Sequence, residues 1–472
     1  MSQLELPTHR IATTDEQGSR IYLYLADVSG KFRTWRSRFN IFLIFLFLLL
    51  PWMNVNQHQA MLLDIPRRRF AVFGVTFLAH DAPMLLFVFG GAAMMLALIT
   101  AIWGRVWCGW ACPQTVFVDG VFRKIERWLE GDAVARRKLD QSPMSLDKLI
   151  KKASKWFCFT ILALLISHSF LAYFVGTEKL ALMIRSSPTD NPINFILMVG
   201  VTAIILFDFG WFREQFCTIV CPYGRFQSVL MDEDSQVVAY DLKRGEPRKG
   251  TNLPQDKAGD CVNCYRCVQV CPTGIDIRRG VQLECIACTA CMDACDEVMR
   301  RLKKPKGLIR YGALSMTHGK NEKRNTLINR GRVLIYGLIV SFLGMGLIYT
   351  LIHRNPVEAN LIRAVDAPYQ EIKTADGQAE IINHFKVELR NQTFDTKKVS
   401  FETPLELSHK GVSLVTPQQF SILEAGQSVR SDFFVRFPKK LLSSGHASAV
   451  VNIRIDGEKI LSKEVLLVGP LL

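Results

Sequence analysis

Eight of the 13 cysteines in this 472-residue chain fall into two runs of a single spacing. Cys261-x-x-Cys264-x-x-Cys267-x-x-x-Cys271-Pro272 is followed by Cys285-x-x-Cys288-x-x-Cys291-x-x-x-Cys295. In a small secreted protein so many cysteines would signal disulfides, but this spacing is that of metal ligation. Three thiolates at such intervals wrap one face of a four-iron, four-sulfide cubane, and a fourth must reach it from elsewhere. Zinc sites use separated knuckles of two cysteines, so the duplicated run of four selects clusters over zinc. Asp296 stands where the first run has Pro272. That puts the local loop geometry in question without removing a ligand.

The runs follow the bacterial ferredoxin pattern. In two-cluster ferredoxins the last cysteine of each run ligates the other cluster. The expected partition is therefore Cys261, Cys264, Cys267 and Cys295 on one [4Fe-4S] cluster, and Cys285, Cys288, Cys291 and Cys271 on the other.

A second set has a different spacing. Cys108-x-x-x-Cys112-Pro113 and Cys217-x-x-x-Cys221-Pro222 each end an apolar run. Their surroundings match: Trp103, Arg105 and Phe117 around the first, Trp211, Arg213 and Phe226 around the second. This is an internal repeat of two spans. A four-residue interval stacks two thiols on one side of a helical turn, and proline suits the first turn of the next helix. Val116, Phe117, Phe122, Ile125, Trp128 and Leu129 would make that helix amphipathic and interfacial. A helix N-terminus and a nearby arginine bias a thiol towards thiolate, and soft paired thiolates suit Cu(I). The plainer alternative is that these are small buried residues closing a bundle. Cys158 has no partner at ligand spacing and reads as a core residue.

Apolar runs at 39–55, 84–103, 157–175, 193–211 and 333–352 have about the length that spans a hydrocarbon layer as a helix. The net charge of +15 is unevenly placed. Basic residues crowd the segment before the first run and the loop between the second and third, while the next loop offers only Lys179 and Arg185. The surplus is topological, so no nucleic-acid partner is expected. The positive-inside bias puts the N-terminus and the Cys-rich segment in the cytoplasm. The chain then reads as a membrane helical bundle in five parts. These are a cytoplasmic segment 1–38, a four-span domain 39–230 with both CxxxCP repeats, a two-cluster domain 231–329, a fifth helix 330–354 and a periplasmic domain 355–472. The last contains alternating runs such as His384 to Leu389 and Ala449 to Ile455, with Asp456-Gly457 as a hairpin turn. It reads as an antiparallel β-sandwich.

These features together resemble the FixG/CcoG/RdxA family of cytochrome c oxidase accessory proteins. The resemblance rests on the twin ferredoxin runs, on Gly104-Arg-Val-Trp-Cys-Gly-Trp-Ala-Cys-Pro113, on Phe216-Cys-Thr-Ile-Val-Cys-Pro-Tyr-Gly-Arg225 and on the C-terminal domain. It implies an immunoglobulin-like fold for that domain and a multi-pass location in a bacterial inner membrane. It also implies reduction of Cu(II) to Cu(I) in oxidase assembly. Copper would then be substrate at Cys108, Cys112, Cys217 and Cys221, with copper-handling proteins and the oxidase assembly machinery as partners. Two other functions are open: a quinol-linked polyferredoxin relay, and a non-enzymatic copper-binding assembly factor. No glycine-rich nucleotide fingerprint or flavin motif is present, so an unidentified partner or quinol supplies the electrons. Three further residues are candidates. His168 lies mid-span and reads as a neutral imidazole bonded to a neighbouring helix, with a functional role as the alternative. Asp208 is expected to pair with Arg105 or Arg213. His80-Asp81 could touch a quinone headgroup.

A reporter active only in the periplasm should work when fused after Leu472 and fail when fused near Gly250. Activity at both fusions would mean that a span has been miscounted.

Overall fold

The computed structural model describes residues 13–470 apart from 15–16, 18, 56–57, 66–68, 74, 79–81, 250–257, 316–325, 354, 366, 374–378, 394, 417–419, 425 and 458. It forms two compact units, Met1–Met61 with Leu85–Leu347 and Leu62–Met84 with Ile348–Leu472.

Among the described residues 5 helices are long and apolar enough to cross a membrane: Lys31–Trp52, Met84–Trp103, Leu146–Val175, Pro192–Phe212 and Gly331–Ile352. Their outward faces carry large apolar side chains such as Phe42, Phe89, Ile204 and Phe342. Such a surface suits lipid, and the helical backbone satisfies its own polar groups. The second and fifth spans meet at Gly346, where an added methyl would lie 2.7 Å from the Phe87 ring. A small residue there lets the helices approach closely.

The first helix begins at Lys31, eight residues before the apolar run that opens at Phe39. The reason lies far along the chain. The Asp293 carboxylate accepts from the backbone N–H groups of Phe32 (3.2 Å) and Arg33 (2.7 Å). It satisfies helix donors that would otherwise be orphaned. Any side chain at Gly30 would run into that carboxylate. The third helix also starts early, at Leu146, where Ser145 caps it by accepting from Lys148 N–H at 3.3 Å.

The Cys-rich segment is closed by an antiparallel pair, Gln236–Tyr240 with Ile309–Ala313. Inside it lie helices Arg266–Gln269 and Ala290–Arg301.

The second unit holds two antiparallel sheets. One orders Ser413–Val415, Ser428–Pro438, Ala379–Asn391 and Val357–Arg363, with Gln370–Lys373 also on Ala379–Asn391. The other orders Phe420–Leu423, Lys397–Glu402, His446–Ile455 and Lys459–Val468. Alternate residues, among them Phe385, Val387, Phe433, Val451 and Ile453, build one core. Asp456 and Gly457 take positive φ values of 52° and 81° at the expected hairpin turn, where glycine carries no steric cost. A three-stranded sheet, Met61–Asp64, Arg69–Val72 and Val75–Leu78, follows the first span, where the sequence suggested no element.

Phe433 is fully buried and stacks on Phe385 (5.5 Å) and Phe401 (5.9 Å). Phe433→Ala should cost the sandwich about 3–5 kcal/mol, read from its unfolding transition in the full chain by calorimetry. A loss below about 1 kcal/mol would contradict this packing.

Candidate functional site

Each ferredoxin-type run bends through left-handed residues on both sides of its middle cysteine. Asn263 and Tyr265 (both φ 55°) flank Cys264, and Ala287 (52°) and Thr289 (63°) flank Cys288. Alternating backbone hand aims peptide N–H groups into a concavity that suits an anion. Cys261, Cys264, Cys267 and Cys295 line one cavity. Cys271, Cys285, Cys288 and Cys291 line a second, with Cys267 also on its wall. These are the groups of four that the crossed pattern pairs. Among the described residues no three His, Cys, Asp or Glu side chains converge where one metal ion could sit. Thiols spread around a cavity fit a polynuclear cluster and not a tetrahedral zinc. Burial pushes the Cys285 thiol up to about 11 and Cys271 and Cys295 up to about 12. A cationic metal core offsets that cost when it binds.

Asp296 leaves no defect. It lies within the helix Ala290–Arg301, which a proline there would break, and its carboxylate accepts from Gly307 N–H at 2.8 Å.

The two CxxxCP repeats come together beside the second cavity. Each opens on a left-handed residue four positions before its first cysteine, Gly104 (φ 56°) and Arg213 (φ 49°). Arg213 is thus the counterpart of Gly104, not of Arg105. The thiols do not stack along one helix. Cys108 lies in the helix Val106–Trp110, whereas Cys112 is extended and precedes Pro113–Phe117. Cys221 likewise precedes Pro222–Leu230. The Cys108 and Cys217 thiols feel the charge of each other's repeat. Cys108 Sγ accepts from Gln227 Nε2 at 3.2 Å.

A thiolate bias is not what this environment produces. Burial pushes Cys108 up to about 11, and neither Gln227 nor Arg105 reverses it. Burial also raises Cys112, against the backbone N–H groups of Gln114 and Thr115, and Cys217 goes higher still. Desolvation outweighs the helix N-terminus and the arginine. The following helix also faces inward: Val116, Phe117 and Phe122 are buried with Phe159 and Phe209, and only Trp128 is strongly exposed. The part that carries Val116, Phe117 and Phe122 is core.

The connection between the two cysteine systems is direct. A Cβ on Gly109 would lie 2.5 Å from the Ile286 carbonyl oxygen, so only glycine lets the Cys285–Cys288 loop seat there. The Arg105 guanidinium donates to the Leu283 carbonyl and, at 3.1 Å, to that of Cys285. It also feels the Cys285 and Cys108 sulfurs. Neither Arg105 nor Gln227 was singled out for these contacts, because both depend on residues distant in sequence.

Asp208 pairs with neither expected arginine; Gln114 Nε2 donates to it at 3.0 Å. Arg213 instead donates to Glu126 at 3.0 Å. His168 Nδ1 lies 2.8 Å from the Leu164 carbonyl of its own helix, not a neighbouring one. Cys158 is half-buried on the third span and lines neither cysteine cavity. His80 and Asp81 lie outside the described residues.

A bundle of apolar helices whose two-cluster module abuts a further set of thiols defines a membrane-bound, ferredoxin-type electron-transfer protein. Comparison with known families agrees. Residues 212–314 match a model described as a 4Fe-4S dicluster domain, and 347–470 one described as the IG-like fold at the C-terminus of FixG. Residues 83–131 and 191–232, which contain both CxxxCP pairs, match a 4Fe-4S binding domain. The chain is 36% identical to Protein RdxB of Cereibacter sphaeroides, over 85% of this chain and 87% of that one. It is 35% identical to Protein RdxA of the same organism, over 80% and 81%. It is 34% identical to the nitrogen fixation protein FixG of Rhizobium meliloti, over 79% and 77%. The chain belongs to the FixG/RdxA family.

Replacing Cys264 by Ser should remove about four iron and four sulfide per chain from anaerobically purified protein, measured by metal and sulfide analysis against wild type. Stoichiometric zinc without iron in the wild type would sink the cluster assignment.

Proposed function

We propose that this protein carries electrons through its clusters to Cys108, Cys112, Cys217 and Cys221 and reduces Cu(II) to Cu(I) there, in support of cytochrome c oxidase assembly. The observation that carries this reading is the seating of the Cys285–Cys288 loop on Gly109, with Arg105 bonded to the Cys285 carbonyl. A cluster held by Cys271, Cys285, Cys288 and Cys291 would lie beside the repeat that carries Cys108. The clusters supply one-electron chemistry, and each Cu(II) takes one electron. Soft paired sulfurs favour the Cu(I) product. Arg105 positions the loop, and Gln227 orients Cys108.

The basic N-terminal segment and the basic loop around Arg123–Glu130 support a cytoplasmic face of a bacterial inner membrane for the clusters and thiols. The β-sandwich then lies in the periplasm. Copper-handling proteins and the oxidase assembly machinery are the proposed partners.

One observation favours a second reading. The family model covering both CxxxCP pairs describes a 4Fe-4S binding domain, so the four thiols would hold a third cluster and act as a relay. Changing all four to Ser separates the two. Serine oxygen is a hard, poor donor for Cu(I) at almost unchanged volume. On the copper reading, iron content stays at the wild-type value of about eight and Cu(II) reduction, followed by a Cu(I) chelator, is lost. On the relay reading, iron falls from about twelve to about eight. Unchanged iron with wild-type copper reduction would overturn both.

A further inference from the structure

A cavity of about 520 Å³ opens between the N-terminal segment, the start of the first helix, the helix Arg123–Glu130 and the wall of the second cysteine cavity. Seven arginine and lysine side chains line it against two aspartates. Those acids are already engaged. Asp119 is held by Arg36 and Arg123, and Asp27 meets Arg127 at 3.1 Å. What is left is surplus positive charge. Arg33 reaches Asp119 only at 3.9 Å, and Lys124 Nζ has the Ser37 hydroxyl at 3.3 Å. Burial and the neighbouring Arg33 hold Lys124 below its usual value. Arg136 is already engaged, donating to Glu126 at 2.9 Å and to the Leu25 carbonyl at 3.2 Å. The far wall is apolar, made by Val270, Pro272 and Ala290, and Cys288 lies in it.

The charge calls for an anion, and the concave lining suits one small enough to enter between the walls. Cys288 makes the site redox-relevant, because one thiol would separate its contents from a cluster. A cluster accepts electrons singly, whereas a hydride carrier delivers a pair. A dihydroflavin can release its pair one at a time. We propose that this cavity binds a reduced, phosphate-bearing carrier of the flavin mononucleotide class, its phosphate between Arg33 and Lys124 and its ring against Val270, Pro272 and Cys288. In the step, the dihydroflavin loses two electrons and two protons and leaves as oxidised flavin. One electron enters each cluster, and the protons pass to water. The proposal rests on Cys288 being a cluster ligand but not on copper being the acceptor.

The test is equilibrium binding of oxidised FMN and of riboflavin to the full chain in nanodiscs of zwitterionic lipid, followed by flavin fluorescence. The two share a ring and differ by the phosphate. FMN should bind about tenfold or more tightly, the worth of one charge-assisted contact, and inorganic phosphate should compete. Lys124→Gln alone should reduce the preference, and Arg33→Gln with Lys124→Gln should abolish it at unchanged iron content. Anaerobic stopped-flow should then show the clusters reduced faster by FMNH2 than by dihydroriboflavin in wild type only. Equal binding of the two flavins would overturn the proposal. So would an anionic phospholipid that co-purifies with wild type, is released by the double variant, and leaves no FMN preference, since the cavity would then hold a headgroup.

Discussion

A close approach of two backbones organises the electron-transfer unit. At Gly109 the first CxxxCP repeat meets the carbonyls of Ile286 and Ala287 with no room for a Cβ. The constraint is steric, and its consequences are electronic. Once those strands of backbone touch, Arg105 bonds the Leu283 and Cys285 carbonyls, and Cys285 and Cys108 share its field. The second repeat closes in the same manner, since a Cβ on Gly224 would lie 2.7 Å from the Cys217 carbonyl oxygen. The Cys285–Cys288 loop is thereby fixed against the segment that follows the second span.

Buried ion pairs hold this arrangement in register. Glu126 has no exposed surface and accepts from Tyr22 at 2.6 Å, Arg136 at 2.9 Å and Arg213 at 3.0 Å. Burial alone would raise its carboxyl, yet the Arg213 guanidinium holds it well below the usual range. Arg123 joins Asp119 to Glu214. Buried pairs add little net stability, but removing one partner strands the other. Their service here is geometric, tying together the N-terminal segment, the loop after the second span and the second repeat. Many of the basic residues that signal topology are therefore structural as well.

The thiols show how competing terms settle a local environment. Hydrogen-bond donors and Arg105 pull Cys108 and Cys112 towards thiolate, and burial pushes harder the other way. Local motif and charge count favoured one sign, and desolvation imposes the other. A bound metal would reverse it again, because its charge compensates the sulfurs directly.

By itself the sequence determined what is local. Cysteine spacing sets the left-handed bends at Asn263, Tyr265, Ala287 and Thr289, apolar length sets the helices, and alternation sets the strands of the sandwich. Each depends on dihedral preferences or burial patterns over a few residues. Tertiary structure alone decided where the first helix begins, because its cap, Asp293, arrives from far along the chain. It also decided that Asp208 meets Gln114 and that His168 bonds its own helix. The basic cavity beside Cys288 was equally illegible, since its walls come from three distant segments. Desolvation, close approach and charge pairing depend on which groups are brought together. A linear pattern records the groups, and only folding supplies their neighbours.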